Sequence, residues 1–270
     1  MMNRLKTPEE LKGLIRQATE EIPKELRFTN SLFLDSQLEQ KIREGMFYST
    51  TASGLNLFEQ KVSCFQLTGV WRTDLPLEIE NTPLPLVIDL DYSGQRKERQ
   101  QRVYQQLLQA GFSDLGTAQK MRLDLAQLDP RRLDSAVRLA NPEDLEEILM
   151  LWNSALCTDP GDLEFREEEL QSWISQQRVY CLYGQGELLG AVVCEIAGGS
   201  GIIWHLAVDS HRRGAGIGGR LLTTALDYAR QKGARSSWLW VKMENQNAIS
   251  FYHGMGYNSL TQFTDRLIRR

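Results

Sequence analysis

Ten consecutive residues, His211-Arg212-Arg213-Gly214-Ala215-Gly216-Ile217-Gly218-Gly219-Arg220, limit the fold more than any other stretch of this 270-residue chain. They join an apolar run, Gly201 to Val208, to a segment with Ile217, Leu221, Leu222, Ala225, Leu226 and Ala229 at helical spacing. The reading is therefore strand, glycine-rich turn, amphipathic helix. Glycines let a backbone approach a ligand closely. Consecutive N–H groups at a helix start form a concave anion site, and Arg212 and Arg213 add positive charge beside it. A phosphorylated ligand is the natural occupant; a turn that merely ends a strand is the plainer alternative.

The pattern G-x-G-x-x-G also occurs here, as Gly214, Gly216 and Gly219, and would suggest a dinucleotide fold and an oxidoreductase. Three features argue against it. Asp209 to Arg213 separate the glycines from the strand, only one strand and one further helix are expected beyond the helix that follows, and Trp238 and Trp240 stand where an acid should meet the ribose.

The surrounding elements alternate. Thr7-Pro8-Glu9-Glu10 and Asn141-Pro142-Glu143-Asp144 both read as capped helix starts. Helices are expected near 8–21, 36–43, 96–110, 142–155, 165–177, 217–232 and 245–253. Strands are expected at 46–51, 55–60, 62–71, 85–92, 120–125, 136–140, 178–183, 188–196, 201–208 and 237–241, with a short one to finish. Mixed strands and helices imply an α/β or α+β fold. The polar stretch Ala126 to Ser135 suggests two domains, 1–128 and 135–270.

Composition narrows the function classes. With 41% hydrophobic and 24% charged residues the chain suits a soluble protein, and a net charge of −4 gives no footprint for nucleic acid. The apolar runs are too short for a membrane span, and the charged N-terminus is no secretory signal. Cys64, Cys157, Cys181 and Cys194 lack C-x-x-C spacing, and there are only three histidines, so neither a metal cage nor a disulfide framework is expected. A cytoplasmic location with reduced thiols follows as the expectation.

A second motif lies downstream. Asn245 can cap a helix, and Tyr252, seven residues on, shares its face. The turn Arg213-Gly214-Ala215-Gly216-Ile217-Gly218 and the run Asn245 to Tyr257 together resemble the GNAT N-acetyltransferase superfamily. They match its pyrophosphate pattern R/Q-x-x-G-x-G/A and its N-x-x-A-x-x-(F/L)-Y-x-x-x-G-(F/Y) helix. The resemblance covers about residues 135 to 270.

It implies a GNAT fold, a twisted mixed central sheet flanked by helices. It implies an acetyltransferase that takes acetyl-CoA as cosubstrate and passes the acetyl group directly to a primary amine. The sheet should splay between the strands at 201–208 and 237–241. Backbone groups near Leu206 and Val208 should meet the pantetheine arm. The amides of Arg213, Gly214, Ala215, Gly216, Ile217 and Gly218 should hold the pyrophosphate, and Asn245 should orient the arm. Tyr252 matches the family's general acid, and a phenol stays protonated at neutral pH; its plain reading is a packed aromatic.

The base is less marked: members of the family it resembles often carry a Glu on one of the two splayed strands, whereas here the 201–208 strand carries no acid and Trp240 fills the place on the other. His205 suits proton abstraction, but a structural histidine is an equal reading; Glu244 and a water relay stay open. Trp238, Trp240 and Lys242 alternate onto one face, as acceptor wall or as core. The acids of Cys157 to Glu164 either attract a cationic amine or are merely solvated. An acyl-CoA sensor without turnover is the competing function.

Residues 1–125 carry neither motif, yet the strand, helix and Gly111-Phe112 there echo Gly256-Tyr257. Tyr104 lies seven before Gly111, unlike Tyr252, which lies four before Gly256. A degenerate GNAT-like half and an unrelated small α+β domain are both open. Its role could be to shape the acceptor site, to pack on the catalytic half, or to form a homodimer.

Overall fold

The computed structural model describes residues 2–30, 38–128, 134–157 and 162–270. In chain order the elements are β1 (Asn3–Arg4), α1 (Pro8–Glu21), β2 (Arg27–Thr29), α2 (Leu38–Gly45), β3 (Met46–Thr51), β4 (Gly54–Gln60), β5 (Phe65–Arg72), β6 (Leu86–Ser93), α3 (Glu98–Gln109) and β7 (Ser113–Asp124). There follow β8 (Val137–Leu139), α4 (Leu145–Leu156), α5 (Glu167–Ser175), β9 (Val179–Gly184), β10 (Glu187–Ala197), β11 (Ser200–Val208), α6 (Ile217–Gln231), β12 (Ser236–Lys242), α7 (Gln246–Gly254) and β13 (Asn258–Arg269).

The chain forms two units, Met1–Thr117 with Gln262–Arg270, and Ala118–Thr261. The sequence expectation of 1–128 and 135–270 differs from this through two strands. Residues 118–124 of β7 pair with β12 in the second unit, and residues 262–269 of β13 pair with β6 in the first. Each unit's closing strand therefore comes from the chain that follows the other unit's last helix. The expected short final strand is in fact twelve residues long, and the segments β1 and β2 were not foreseen.

The second unit runs β8-β9-β10-β11-β12-β7, antiparallel throughout except for parallel β11 and β12. Helix α6 covers one face. Leu221, Leu222 and Leu226 are fully buried there with Ile203, Leu239 and Val241, and each such leucine contributes about 1.5–3 kcal/mol. Helices α4 and α5 cover the other face, where Ile148, Trp152, Leu170 and Ile174 meet Val179, Ala191, Val193 and Ala207. The start of α4 is held by Asp144, which accepts two bonds from Arg138, at 2.7 and 2.8 Å, and one from the Asn141 amide. These bonds keep the Asp144 carboxyl down at about 2, with Arg138 the main cause.

The first unit repeats the plan: β1-β3-β4-β5-β6-β13, with β5 and β6 the one parallel pair among the described residues. Its α3 ends as α7 does. Gly111 and Gly256 both take positive φ, +87° and +91°. Phe112 N–H donates to Leu107 O and Tyr257 N–H to Tyr252 O, each at 3.0 Å, the pattern of a glycine-closed helix end. The two units thus share a strand order and a helix ending. Leu107, fully buried, stands at the position that Tyr252 holds in the second unit.

Candidate active site

The second unit's site begins where two strands part. Strands β11 and β12 pair only from Ser200–Ser236 to Ile203–Leu239. Beyond that, β11 stays with β10 as far as Val208–Gly190, and β12 stays with β7 as far as Lys242–Ala118. The cause is legible in the register. His205 faces Val193 and Ile203 faces Cys194, so Trp204 is an extra residue. A bulge of this kind bends and twists its strand.

The bulge also decides which groups face the opening. The Asp209 amide donates to Leu189 O on β10 at 3.0 Å. By strand alternation Ala207 and His205 bond the same way, and the N–H and C=O groups of Leu206 and Val208 point toward the parted edge. Among the described residues no strand pairs with that edge beyond Ile203. The backbone groups of Leu206 and Val208 on that edge therefore have no strand partner among the described residues.

At the far end of β11 the glycine turn starts α6. Gly214 and Gly216 have φ of +81° and +76°, and Gly216 is the helix N-cap. A Cβ at either position would meet nothing within 4 Å, so the space above the turn is open and the glycines are needed for conformation. Arg220 makes the first helical bond, to Gly216 O at 3.1 Å. The amides of Ile217, Gly218 and Gly219 accordingly lack intrahelical acceptors. Gly218 and Gly219 approach Phe251 of α7 and Met255 at its C-terminal cap, with Cβ positions 3.4 and 3.6 Å from the nearest atoms. Arg212 pairs with Glu187 at 3.2 Å, Arg220 pairs with Asp134, and Arg213 is exposed beside the turn. Open amides, a left-handed glycine pair and a nearby guanidinium fit a diphosphate, and the unpaired β11 edge fits the amide-bearing arm of coenzyme A.

Helix α7 borders the same face. Asn245 caps it, its Oδ1 accepting from Ala248 N–H at 3.0 Å. Tyr252 packs against the α6-side core with Ala248, Ile249 and Phe251. Its ring is T-shaped to Phe251 and Tyr257, 5.1 and 5.6 Å between centroids, and Tyr257 is pinned to Ser237 by a buried 2.6 Å hydrogen bond. Burial pushes the Tyr252 phenol up to about 12, so it is a proton donor throughout the neutral range.

His205 lies on the opposite face of the sheet. Its ring sits 4.7 Å from Phe165, 5.4 Å from Trp173 and 5.8 Å from Trp152. Asn153 fixes Phe165 by accepting from its N–H at 2.8 Å and donating to its carbonyl at 3.2 Å. Trp238, Trp240 and Lys242 share this face, since Leu239 and Val241 belong to the α6-side core. Lys242 pairs with Asp162 at 3.2 Å; residues 158–161 of the acidic loop lie outside the described residues. Glu244 is exposed at the β12–α7 junction. The two proton-handling candidates thus lie on opposite faces of the sheet. Among the described residues no three His, Cys, Asp or Glu side chains could hold a metal ion, and no helix is long and apolar enough to cross a membrane.

The profile of the Acetyltransferase (GNAT) family matches residues 144–257. Among curated proteins the chain is 38% identical over 79 residues to an uncharacterized N-acetyltransferase of Methanocaldococcus jannaschii, covering 27% of this chain and 35% of that one. It is 44% identical over 62 residues to an uncharacterized N-acetyltransferase of Bacillus subtilis, covering 23% and 42%. It is 26% identical over 76 residues to the ribosomal protein bS18-alanine N-acetyltransferase of Escherichia coli, covering 28% and 51%. The chain therefore spans about a third to a half of these relatives' length. Among solved structures it resembles a GCN5-related N-acetyltransferase from Sphaerobacter thermophilus, with TM-score 0.59, 14% identity and coverage of 100% and 95%. A tandem GNAT protein from the clavulanic acid biosynthesis pathway gives TM-score 0.59, 12% identity and coverage of 99% and 97%. At these identities the likeness is one of fold, and it extends over both units.

Proposed function

Because the C-terminal part of this chain belongs to the GNAT acetyltransferase family, we propose that the protein transfers an acetyl group from acetyl-CoA to a primary amine at the parted edge of β11 and β12. The observation that carries this reading is the unpaired backbone of Leu206 and Val208 leading to the open amides at Gly214 to Gly219. The amides and Arg213 hold the diphosphate, Leu206 and Val208 hold the pantetheine arm, and Asn245 borders it.

Acetyl-CoA supplies an activated acyl group. His205, on the amine's side of the sheet, takes one proton from the incoming ammonium. The free amine forms the new C–N bond and the C–S bond breaks; the departing thiolate takes the proton of Tyr252, and the nitrogen sheds its second proton as the amide forms, which restores the phenol by way of solvent. Acid–base assistance of this kind is worth about 10²–10⁴-fold. The amine is set against the thioester by the gap itself, which accounts for a further part of the rate through orientation.

A thiol-release assay with acetyl-CoA and a panel of amines tests the proposal and separates transfer from mere sensing. Tyr252→Phe should lower kcat about 100-fold or more and leave acetyl-CoA affinity by calorimetry within twofold. Unchanged turnover would remove Tyr252 as the acid, and thiol release with no amine in the panel would leave a binding protein.

A further inference from the structure

Trp204, the residue inserted by the bulge, is 45% exposed although it is an indole at the mouth of the gap. Its ring is T-shaped to Trp238, 6.0 Å between centroids, so the two indoles meet across β11 and β12 just where pairing ends. Its Nε1 donates to Glu195 at 2.8 Å, and Glu195 is in turn paired with Arg178 at 3.2 Å. The exposed ring is therefore held in one orientation. Trp240 lies two residues beyond Trp238 on the same face. Lys120 places its ammonium 4.2 Å from the Trp238 ring centre and 5.6 Å from that of Trp240.

We propose that the acceptor is a primary amine carried on an aromatic or flat apolar body, seated against the exposed ring of Trp204, which Trp238 braces, on the face that His205 shares. This rests on the acetyl-transfer reading above. Indoles held rigid around the point of transfer give a flat, apolar group a large contact area at little entropic cost. A strongly hydrated polyol gains little there, because its hydroxyls would lose water without finding partners. A polycation is the poorest fit, since it would give up the hydration of several ammonium groups against an indole whose neighbours Trp238 and Trp240 already hold the Lys120 ammonium.

Full-length protein with acetyl-CoA should be assayed against tryptamine and 2-phenylethylamine, and against spermidine and kanamycin, by thiol release. The aromatic amines should exceed the polycations by tenfold or more in kcat/KM. Trp204→Ala should lower kcat/KM for tryptamine by about tenfold or more, the loss expected from uncovering one aromatic contact, and Trp204→Phe should restore most of it. Calorimetric binding of acetyl-CoA by each variant checks that the site is intact. Spermidine or kanamycin turned over as well as tryptamine, or a Trp204→Ala protein that keeps its tryptamine activity, would overturn the aromatic acceptor while leaving acetyl transfer in place. Failure of the unaltered protein to bind acetyl-CoA would instead defeat the acetyl-transfer reading, and this inference with it.

Discussion

Strands β5 and β6 in the first unit and β11 and β12 in the second begin alike and end differently. Both pairs are parallel, and both part after a few residues, β5 and β6 after Phe65–Leu86 and Gln66–Val87 alone. In the first unit the chain itself fills the opening. Strand β2 pairs with Val70 to Arg72 on the edge that β6 has left. Asn30, next in sequence, accepts from Gly69 N–H at 2.8 Å and donates to Leu67 O and Asp89 O, each at 3.4 Å. One buried carboxamide thus satisfies both parted strands. In the second unit the matching groups of Leu206 and Val208 have no strand partner among the described residues. The first unit also lacks any helix between β5 and β6, and hence any glycine turn. The same topology is sealed by its own chain in one half and left without a strand partner, among the described residues, in the other. A polar edge inside a protein must be satisfied by something; what differs is whether that partner is covalently attached.

The contrast can be broken most severely at the turn. Gly216→Glu puts a carboxylate into the proposed anion site and a side chain at a φ of +76°. It should weaken acetyl-CoA binding by about 100-fold or more, as judged from charge repulsion and the strain of a left-handed non-glycine residue. Normal affinity by calorimetry would mean that the diphosphate binds elsewhere.

At the seal, Asn30→Ala should lower unfolding stability by about 2–3 kcal/mol, because buried backbone groups lose their partners. Acetyl-CoA affinity should not change. Denaturant unfolding together with calorimetry reads both; a loss of affinity without a loss of stability would contradict the division of labour between the units.

The strand-to-helix junctions sharpen the comparison with a smaller effect. In the first unit α1 is started by local and exposed groups, Thr7 accepting from Glu10 N–H at 3.1 Å and the Glu10 side chain accepting from Lys6 N–H at 2.8 Å. In the second, α4 depends on the buried Asp144 carboxylate held at about 2. A depressed carboxyl stabilises the fold fully above its unfolded pKa of about 4, and that stabilisation is lost as pH falls toward 2. It amounts to about 2 kcal/mol. Arg138→Ala should shift the acid limb of stability upward in pH, as followed by circular dichroism between pH 2 and 6. An unchanged acid limb would mean that the pair contributes nothing at this junction.

Much of the second unit was legible because its signals are local. The Gly214 to Gly219 turn, the Asn245 cap and the 3.6-residue period of α6 are each written in a few adjacent residues, and all three fell where expected. Partner choice is not local. Nothing in Lys120 to Leu125 or in the last residues of the chain says which unit's sheet each strand will join, so the exchange of closing strands escaped the reading. The bulge escaped for a related reason: Gly201-Ile202-Ile203-Trp204-His205-Leu206 reads as an unbroken strand, and only the pairing with Val193 and Cys194 exposes the inserted residue. Without the bulge, Trp204 passes for core. Asn30 was invisible because its three partners lie 37 to 59 residues away.

Binding stoichiometry addresses the contrast between the two halves most directly. Calorimetric titration of the full chain with coenzyme A should give one site per chain, abolished in Gly216→Glu and retained in Asn30→Ala. Two sites per chain, or one that survives Gly216→Glu, would show that the sealed and open clefts have been assigned wrongly.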